Sequence, residues 1–443
     1  MNDAAIETVD AIIVGSSMRG LVTAYVLSQL GCRAVLLERG DHVGSADGSF
    51  TTSGGTSFDF GLHVLDAMRS PLATRLFTHV VDGAVHEQVL RRAIVLRGHV
   101  LPYNPKPADL PGELRAMLRG EALVDDIGDE LPTRARLAAC YGPAFADLVL
   151  DEVLPSYPTE NRHRAFGVDE ARLLTNIYPW FFPAAQRVEA RDSASRMFHD
   201  RLRRGHAQRI LYPQEGGFGG FARGFLQKLD PRRVEVLTGA RDLNVQVRPG
   251  THAVEWVAAG GRRFAAPHVF WAAPWPALCQ LLSLPCQQVV TDRVLLGSFR
   301  LDRPALGDFH EYLVGDPRRR VNRISRPASF RGSDDPLLQV EFAVPIAEDW
   351  PREAAVWQRY WQDDLVALGL LAADHRVVEF DFRDVPLHFN AFGAEGEPLR
   401  DADPALVDPA GNMRPVVPSM ANLNLNAYVP QVVADVAATM ARG

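Results

Sequence analysis

The chain has 443 residues, 47% of them hydrophobic and 23% charged, with a formal net charge of −7. That length calls for more than one core, and the acidic balance argues against a nucleic-acid partner, because phosphate binding needs a basic face. No uninterrupted run of about 18 apolar residues occurs, so no membrane span is expected.

The start, "MNDAAIETVD", carries no apolar stretch behind a basic segment, so no signal peptide is expected. Cys32, Cys140, Cys279 and Cys286 are scattered without a C-x-x-C spacing. They read as reduced thiols of a cytoplasmic protein, and no metal-ligand pattern stands out.

The first element is "DAIIVG", an apolar run of the kind that forms a parallel strand buried on both faces. Leu21, Ala24, Tyr25, Leu27 and Leu30 then recur at helical spacing, and Gly31 ends the helix. "RAVLLE" supplies a second buried strand. Strand, tight turn, helix and strand in about 30 residues make a mononucleotide-binding unit.

Inside it, "GSSMRG" is a glycine loop in which Ser17 stands at the second glycine position. Gly15 allows the tight turn, and Gly20 lets the helix pack close to the strand. The backbone of Ser16, Ser17, Met18 and Arg19 opens the helix, where exposed N–H groups face a pyrophosphate. The Ser17 hydroxyl can donate to a phosphate oxygen. Glu38, followed by Arg39, ends the second strand, where a carboxylate accepts hydrogen bonds from an adenosine ribose and disfavours a 2′-phosphate.

The next stretch, "ERGDHVGSADGSFTTSGGTSFDFGLHVLD", resembles the flavoprotein superfamily of amine oxidases, protoporphyrinogen oxidase and UDP-galactopyranose mutase. The matching pieces are Glu38, Gly40, Val43–Gly44 and "FDFGLH", with Ser45 in place of a glycine. The resemblance implies FAD as cofactor. It places Gly44 and Ser45 alongside the dinucleotide, and the backbone of Gly61, Leu62 and His63 against the flavin ring.

Three later segments follow the same pattern in order: "YPQEGGFGGFARGFLQKL", "VEVLTGARDLNVQ" and "HVFWAAPWPALCQLL". In the second, the backbone matching Ala240 contacts adenine. At the carboxyl end, Pro418 stands where the superfamily has a glycine. A helix follows in which Pro430 suits the first helical position, and Tyr428, Gln431 and Val432 match the end that points at the flavin.

Residues 104–205 are rich in helix formers and read as a helical cap. From about 286, "LLGSFRL", "FHEYLVG", "RVNRISRPASF" and "LLQVEFAV" alternate as half-buried antiparallel strands do. In the mutase branch, the arginine matching Arg323 meets a substrate diphosphate, a task suited to a planar guanidinium. The second diphosphate arginine has Asn176 at its place. His63 and Arg323 are the catalytic candidates, with Tyr212 and Tyr428 behind them.

The expected fold is α/β: a discontinuous Rossmann-like FAD-binding domain (1–75, 205–285, 385–443) with a mixed helical and antiparallel-sheet substrate or cap domain (76–204, 286–384). Three functions stay open: an FAD-dependent oxidoreductase taking a hydride from a small polar substrate, a reduced-flavin mutase acting on a sugar nucleotide, and a non-catalytic member with a decayed FAD site. An absorbance spectrum separates the third from the other two, and turnover by oxidised enzyme separates the first from the second.

Overall fold

A computed structural model of the chain describes residues 5–44, 48–67, 70–102, 110–118, 133–158, 208–248, 253–274, 277, 292–345, 348–387, 412–416 and 425–441. In chain order these form β1 (Ile6–Thr8), β2 (Ala11–Val14), α1 (Met18–Gln29), β3 (Ala34–Leu37), the hairpin β4 (Ser49–Thr51) and β5 (Ser57–Asp59), and β6 (Leu65–Asp66). Next come α2 (Pro71–Val80), β7 (Val85–Val89), β8 (Arg92–Leu96) and β9 (His99–Pro102), then short helices α3 (Gly112–Arg115), α4 (Thr133–Tyr141) and α5 (Pro143–Asp147). After these lie β10 (Arg209–Pro213), α6 (Gly219–Lys228), β11 (Val234–Leu237), β12 (Asn244–Val247), β13 (Val254–Ala259), β14 (Arg262–Ala265) and β15 (His268–Trp271). The rest comprises β16 (Asp292–Leu301), β17 (Glu311–Gly315), β18 (Arg323–Ser325), α7 (Pro327–Phe330), β19 (Leu337–Pro345), α8 (Ala354–Ala367), β20 (Val377–Leu387), β21 (Met413–Pro415) and α9 (Leu425–Met440).

β2 and β3 bury every residue because both faces of their sheet are covered, which explains their unbroken apolar runs. That sheet is parallel throughout, in the order β11-β3-β2-β15-β21. One face packs against α1, α2, α6 and α9 through Leu21, Phe77, Phe221, Phe225 and Val432. The other face packs on the sheet β1-β14-β13-β12 through Trp271, Phe264 and Val257. This is the expected discontinuous Rossmann-like domain, assembled from three separated stretches of chain. The expected boundary at 75/76 falls inside α2, and β20 runs across the one at 384/385.

The second body is a seven-stranded mixed sheet, β20-β16-β19-β18-β17-β8-β9. One of its faces is sealed by α8, whose Trp357 and Trp361 are fully buried against Phe299, Val340 and Phe342. The opposite face is divided. Ile94, Leu96 and Leu313 pack under α4, α5 and the turns up to Ser156, which is the described part of the helical cap. Phe50 and Phe58 of the hairpin cover the far end with Leu337.

Two local expectations are corrected. Pro430 lies inside α9, which begins at Leu425, so it does not open the helix. Burial of Val429, Val432 and Val436 carries the helix through the proline, tertiary packing outweighing the lost backbone bond. "RVNRISRPASF" is a strand only from Arg323 to Ser325; Pro327 then starts α7, as its fixed φ and missing N–H favour. Ser45, Asn176 and Pro418 lie outside the described residues, as does the Tyr428 side chain.

Candidate functional site

The glycine loop begins at the end of β2. Gly15 has φ +98°, and a Cβ there would stand 2.6 Å from the Ala273 nitrogen. A Cβ on Gly20 would come within 2.0 Å of the Gly15 carbonyl oxygen, so glycine is what lets α1 start directly on the turn. Ser17 is the N-cap residue, but its side chain does not cap the helix. Its hydroxyl donates instead to the Ala272 carbonyl at 3.1 Å, across to the exit of β15. The donor foreseen for a phosphate is therefore engaged with backbone. Met18 and Arg19 are buried, and an Arg19 Nη1 donates to the Val416 carbonyl at 3.5 Å.

Glu38 is held at the end of β3 by the loop it faces. Its Oε2 accepts from the Ser16 N–H at 3.0 Å and from the Ser16 hydroxyl. Its Oε1 accepts from the Gly40 N–H at 2.7 Å. The Ser16 hydroxyl in turn accepts from the Gly44 N–H at 3.0 Å, tying the glycine loop to the loop after β3. On the other side, the Ala240 N–H donates to the Glu38 carbonyl at 2.9 Å, and the Gly239 N–H to the Gly40 carbonyl at 2.8 Å. Glu38, Arg39, Gly40, Asp41 and Arg241 line an open pocket of about 430 Å³, and Arg241 pairs with Asp41 at 2.8 Å. On α9, Val432 is buried in the core, whereas Gln431 is exposed and donates to Asp435 at 2.8 Å.

Residues 49–63 run across the divided face of the large sheet. Gly54 N–H and Thr56 hydroxyl donate to Glu379 at 2.9 and 2.8 Å, and Arg383 lies 3.8 Å over the Phe50 ring. Gln339 Nε2 donates to the Asp59 carbonyl at 2.8 Å, and Leu62 N–H donates to Glu341 Oε1 at 2.8 Å. The same segment is anchored from below by the Asp59 side chain, which is buried. It accepts from Ser49 hydroxyl (2.6 Å), Tyr212 hydroxyl (2.5 Å) and Phe218 N–H (2.9 Å). Ser49 also accepts from Gly219 N–H at 2.9 Å, so the two side chains together cap α6. Burial pushes the Asp59 carboxyl up from its ordinary value, against these donors, and burial likewise raises Tyr212 well above a free phenol.

His63 places Nδ1 3.2 Å from the Gly61 carbonyl, and its ring lies 5.4 Å from that of Phe218. Arg323 stands on the adjoining sheet with Nε 3.4 Å from Glu311 and Nη1 3.4 Å from Glu341. Glu311 is buried and is shared with Arg92. The pairing register explains why these meet. Arg92, Glu311, Ser325, Gln339 and Ser298 are cross-strand neighbours in one row, and Arg323 and Glu341 face each other in the next. A polar stripe thus crosses the sheet between the two apolar covers.

Glu311, Glu341, Arg92 and the anchoring role of Asp59 were not read from the sequence. The signal present was "LLQVEFAV", where Gln339 and Glu341 occupy alternate positions of an otherwise apolar strand. Among the described residues, no cluster of His, Cys, Asp and Glu is arranged to hold a metal ion, and no helix is long and apolar enough to cross a membrane.

Residues 13–80 match the family of NAD(P)-binding Rossmann-like domains. No curated protein matches the chain in sequence. Among solved structures, reduced UDP-galactopyranose mutase superposes with a TM-score of 0.68 at 14% identity, over 98% of this chain and 96% of that one. A putative protoporphyrinogen oxidase from Exiguobacterium sp. 255-15 gives 0.67 at 14%, over 99% and 100%. Putrescine oxidase bound to putrescine gives 0.59 at 13%, over 99% and 100%. The chain carries a Rossmann-like fold similar to the folds of these proteins.

Proposed function

We propose that the protein is an FAD-dependent oxidoreductase that takes a hydride from a C–H bond of a small polar substrate. The observation that carries this reading is the station of Glu38. Its carboxylate is fixed beside a roughly 430 Å³ pocket by the N–H groups of Gly40 and of Ser16, two residues before the start of α1. A carboxylate there fits a ribose diol, and the α1 start fits a pyrophosphate. The sequence resemblance assigns Gly15, Gly20, Gly44 and the Ala240 backbone to the walls of the dinucleotide site.

Bound FAD supplies the two-electron acceptor. The chain's own residues do the rest. The turn Gly61–Leu62–His63 forms the wall at the flavin end, His63 positions substrate, and Arg323 with Glu311 and Glu341 forms the charged part of the substrate wall.

The test is to purify the protein, reconstitute it with FAD, desalt it and record its visible spectrum. Retained flavin bands, lost in Glu38→Ala, support the reading; no retained flavin overturns it. Anaerobic mixing with candidate substrates then separates the chemistries. Bleaching of the flavin supports oxidation, whereas turnover only after prior reduction, with no acceptor consumed, replaces it with isomerisation.

A further inference from the structure

We infer that Glu341 is the positioning residue for His63, acting through a single peptide group, and that Arg323 is the counter-ion of Glu341 rather than a receptor for a substrate phosphate. The relevance to catalysis rests on the proposed reading of the 61–63 turn as the flavin-side wall; the positioning itself does not.

The peptide joining Gly61 to Leu62 is held at both ends. Its N–H donates to Glu341 Oε1 at 2.8 Å, and its C=O stands 3.2 Å from His63 Nδ1. A carbonyl can only accept, so Nδ1 is the donor in this contact. The orientation of one peptide plane therefore sets the direction in which the His63 ring is held. That plane needs outside support, because Gly61 has φ +91°, and a glycine backbone passes readily from that conformation to others. A Cβ at Gly61 would lie 3.5 Å from the Glu341 carboxylate, which shows how closely the acid is laid against the turn.

Glu341 has little freedom to leave. It projects from the centre of the sheet opposite Arg323, whose guanidinium lies 3.4 Å from it and 3.4 Å from Glu311. Arg92 takes the other side of Glu311. The signs alternate along Arg92, Glu311, Arg323 and Glu341, and this chain of ion pairs ends on the Leu62 N–H. Two guanidinium cations stand against two carboxylates, so the wall is neutral as built. A phosphate that took the place of Glu341 on Arg323 would leave that acid without its cation, half-buried beside the turn.

Hydrogen exchange of the peptide spanning residues 60–66, measured by mass spectrometry on the full chain, tests the positioning. Glu341→Ala is expected to speed exchange of the Leu62 amide at least about tenfold, whereas Glu341→Gln, whose amide oxygen still accepts, stays within about threefold of wild type. Arg323→Met alone speeds exchange, and Glu341→Gln/Arg323→Met restores protection, because the uncompensated charge has gone. Unchanged protection in Glu341→Ala, or a double variant no better than Arg323→Met, overturns the inference. UDP is the probe for the second half. No UDP binding by wild type, or equal binding by Arg323→Met, supports it; a tenfold loss in Arg323→Met overturns it. Wild-type protein that retains no FAD would refute the proposed function while the exchange results still decide the role of Glu341.

Discussion

Asp59 joins the hairpin, β10 and the start of α6, so its replacement tests whether the motifs at 58–63 and 212–220 form one unit. Asp59→Ala leaves the Tyr212 hydroxyl and the Phe218 N–H without their acceptor; Ser49 can turn elsewhere. Two buried donors left unpaired cost roughly 1–3 kcal/mol each. Removing a carboxylate whose ionised form is disfavoured by burial offsets part of this, leaving an expected loss of about 2–4 kcal/mol. Asp59→Asn keeps an acceptor for Phe218 and asks Tyr212 only to reverse its hydroxyl, so about 1 kcal/mol is expected.

The pH dependence has a definite sign. The folded carboxyl is raised by burial, so its stabilising contribution is complete below the unfolded pKa and is lost as pH rises through the folded value. Wild type should therefore lose stability relative to Asp59→Asn as pH climbs above about 4. Urea unfolding of the full chain, followed by tryptophan fluorescence across that range, measures both effects. An alanine variant within about 1 kcal/mol of wild type, or an asparagine variant that parallels wild type at every pH, would refute the reasoning.

Glu38→Ala should weaken FAD or ADP binding by roughly 10- to 100-fold, the worth of hydrogen bonds to a charged group, as read by calorimetry. Gly20→Ala drives a methyl to 2.0 Å from the Gly15 carbonyl oxygen, so α1 must retreat; loss of nucleotide affinity with a lowered Tm is the expected outcome. Ser17→Gly, which gives up only the bond to Ala272, should change nucleotide affinity by less than about tenfold in the same titration. Burial, aided by the Arg91 charge, lowers His310 to about 4. Its contribution to stability is present above the unfolded histidine value and lost as pH falls through the folded one, so His310→Asn should flatten the acid side of the stability profile.

Local features were legible wherever the chain carries its own constraint. The runs "AIIV" and "AVLL" announce strands buried on both faces. Gly15, Gly20 and Gly31 mark a turn and a helix end, because only glycine adopts those conformations or admits those approaches. Glu38 lies a fixed distance along a strand from the loop it serves. The resemblance carried by "FDFGLH" and by the segments from Tyr212 onward, spread along the chain, foretold the discontinuous domain.

What the sequence by itself determined was therefore the strand-turn-helix-strand unit, the order of the flanking elements and the glycines that its tight turn requires. The Ser17 hydroxyl's turn toward Ala272, the cap on α6 made by Ser49 and Asp59, and the alternating chain of ion pairs from Arg92 to Glu341 were decided only by the tertiary structure. Each joins residues far apart in the chain, and a strand's alternation says which residues share a face but not which strand lies beside it or in what register. Arg323 shows the difference: the sequence presents an arginine on a strand, while the sheet's pairing supplies Glu311 and Glu341 as its partners.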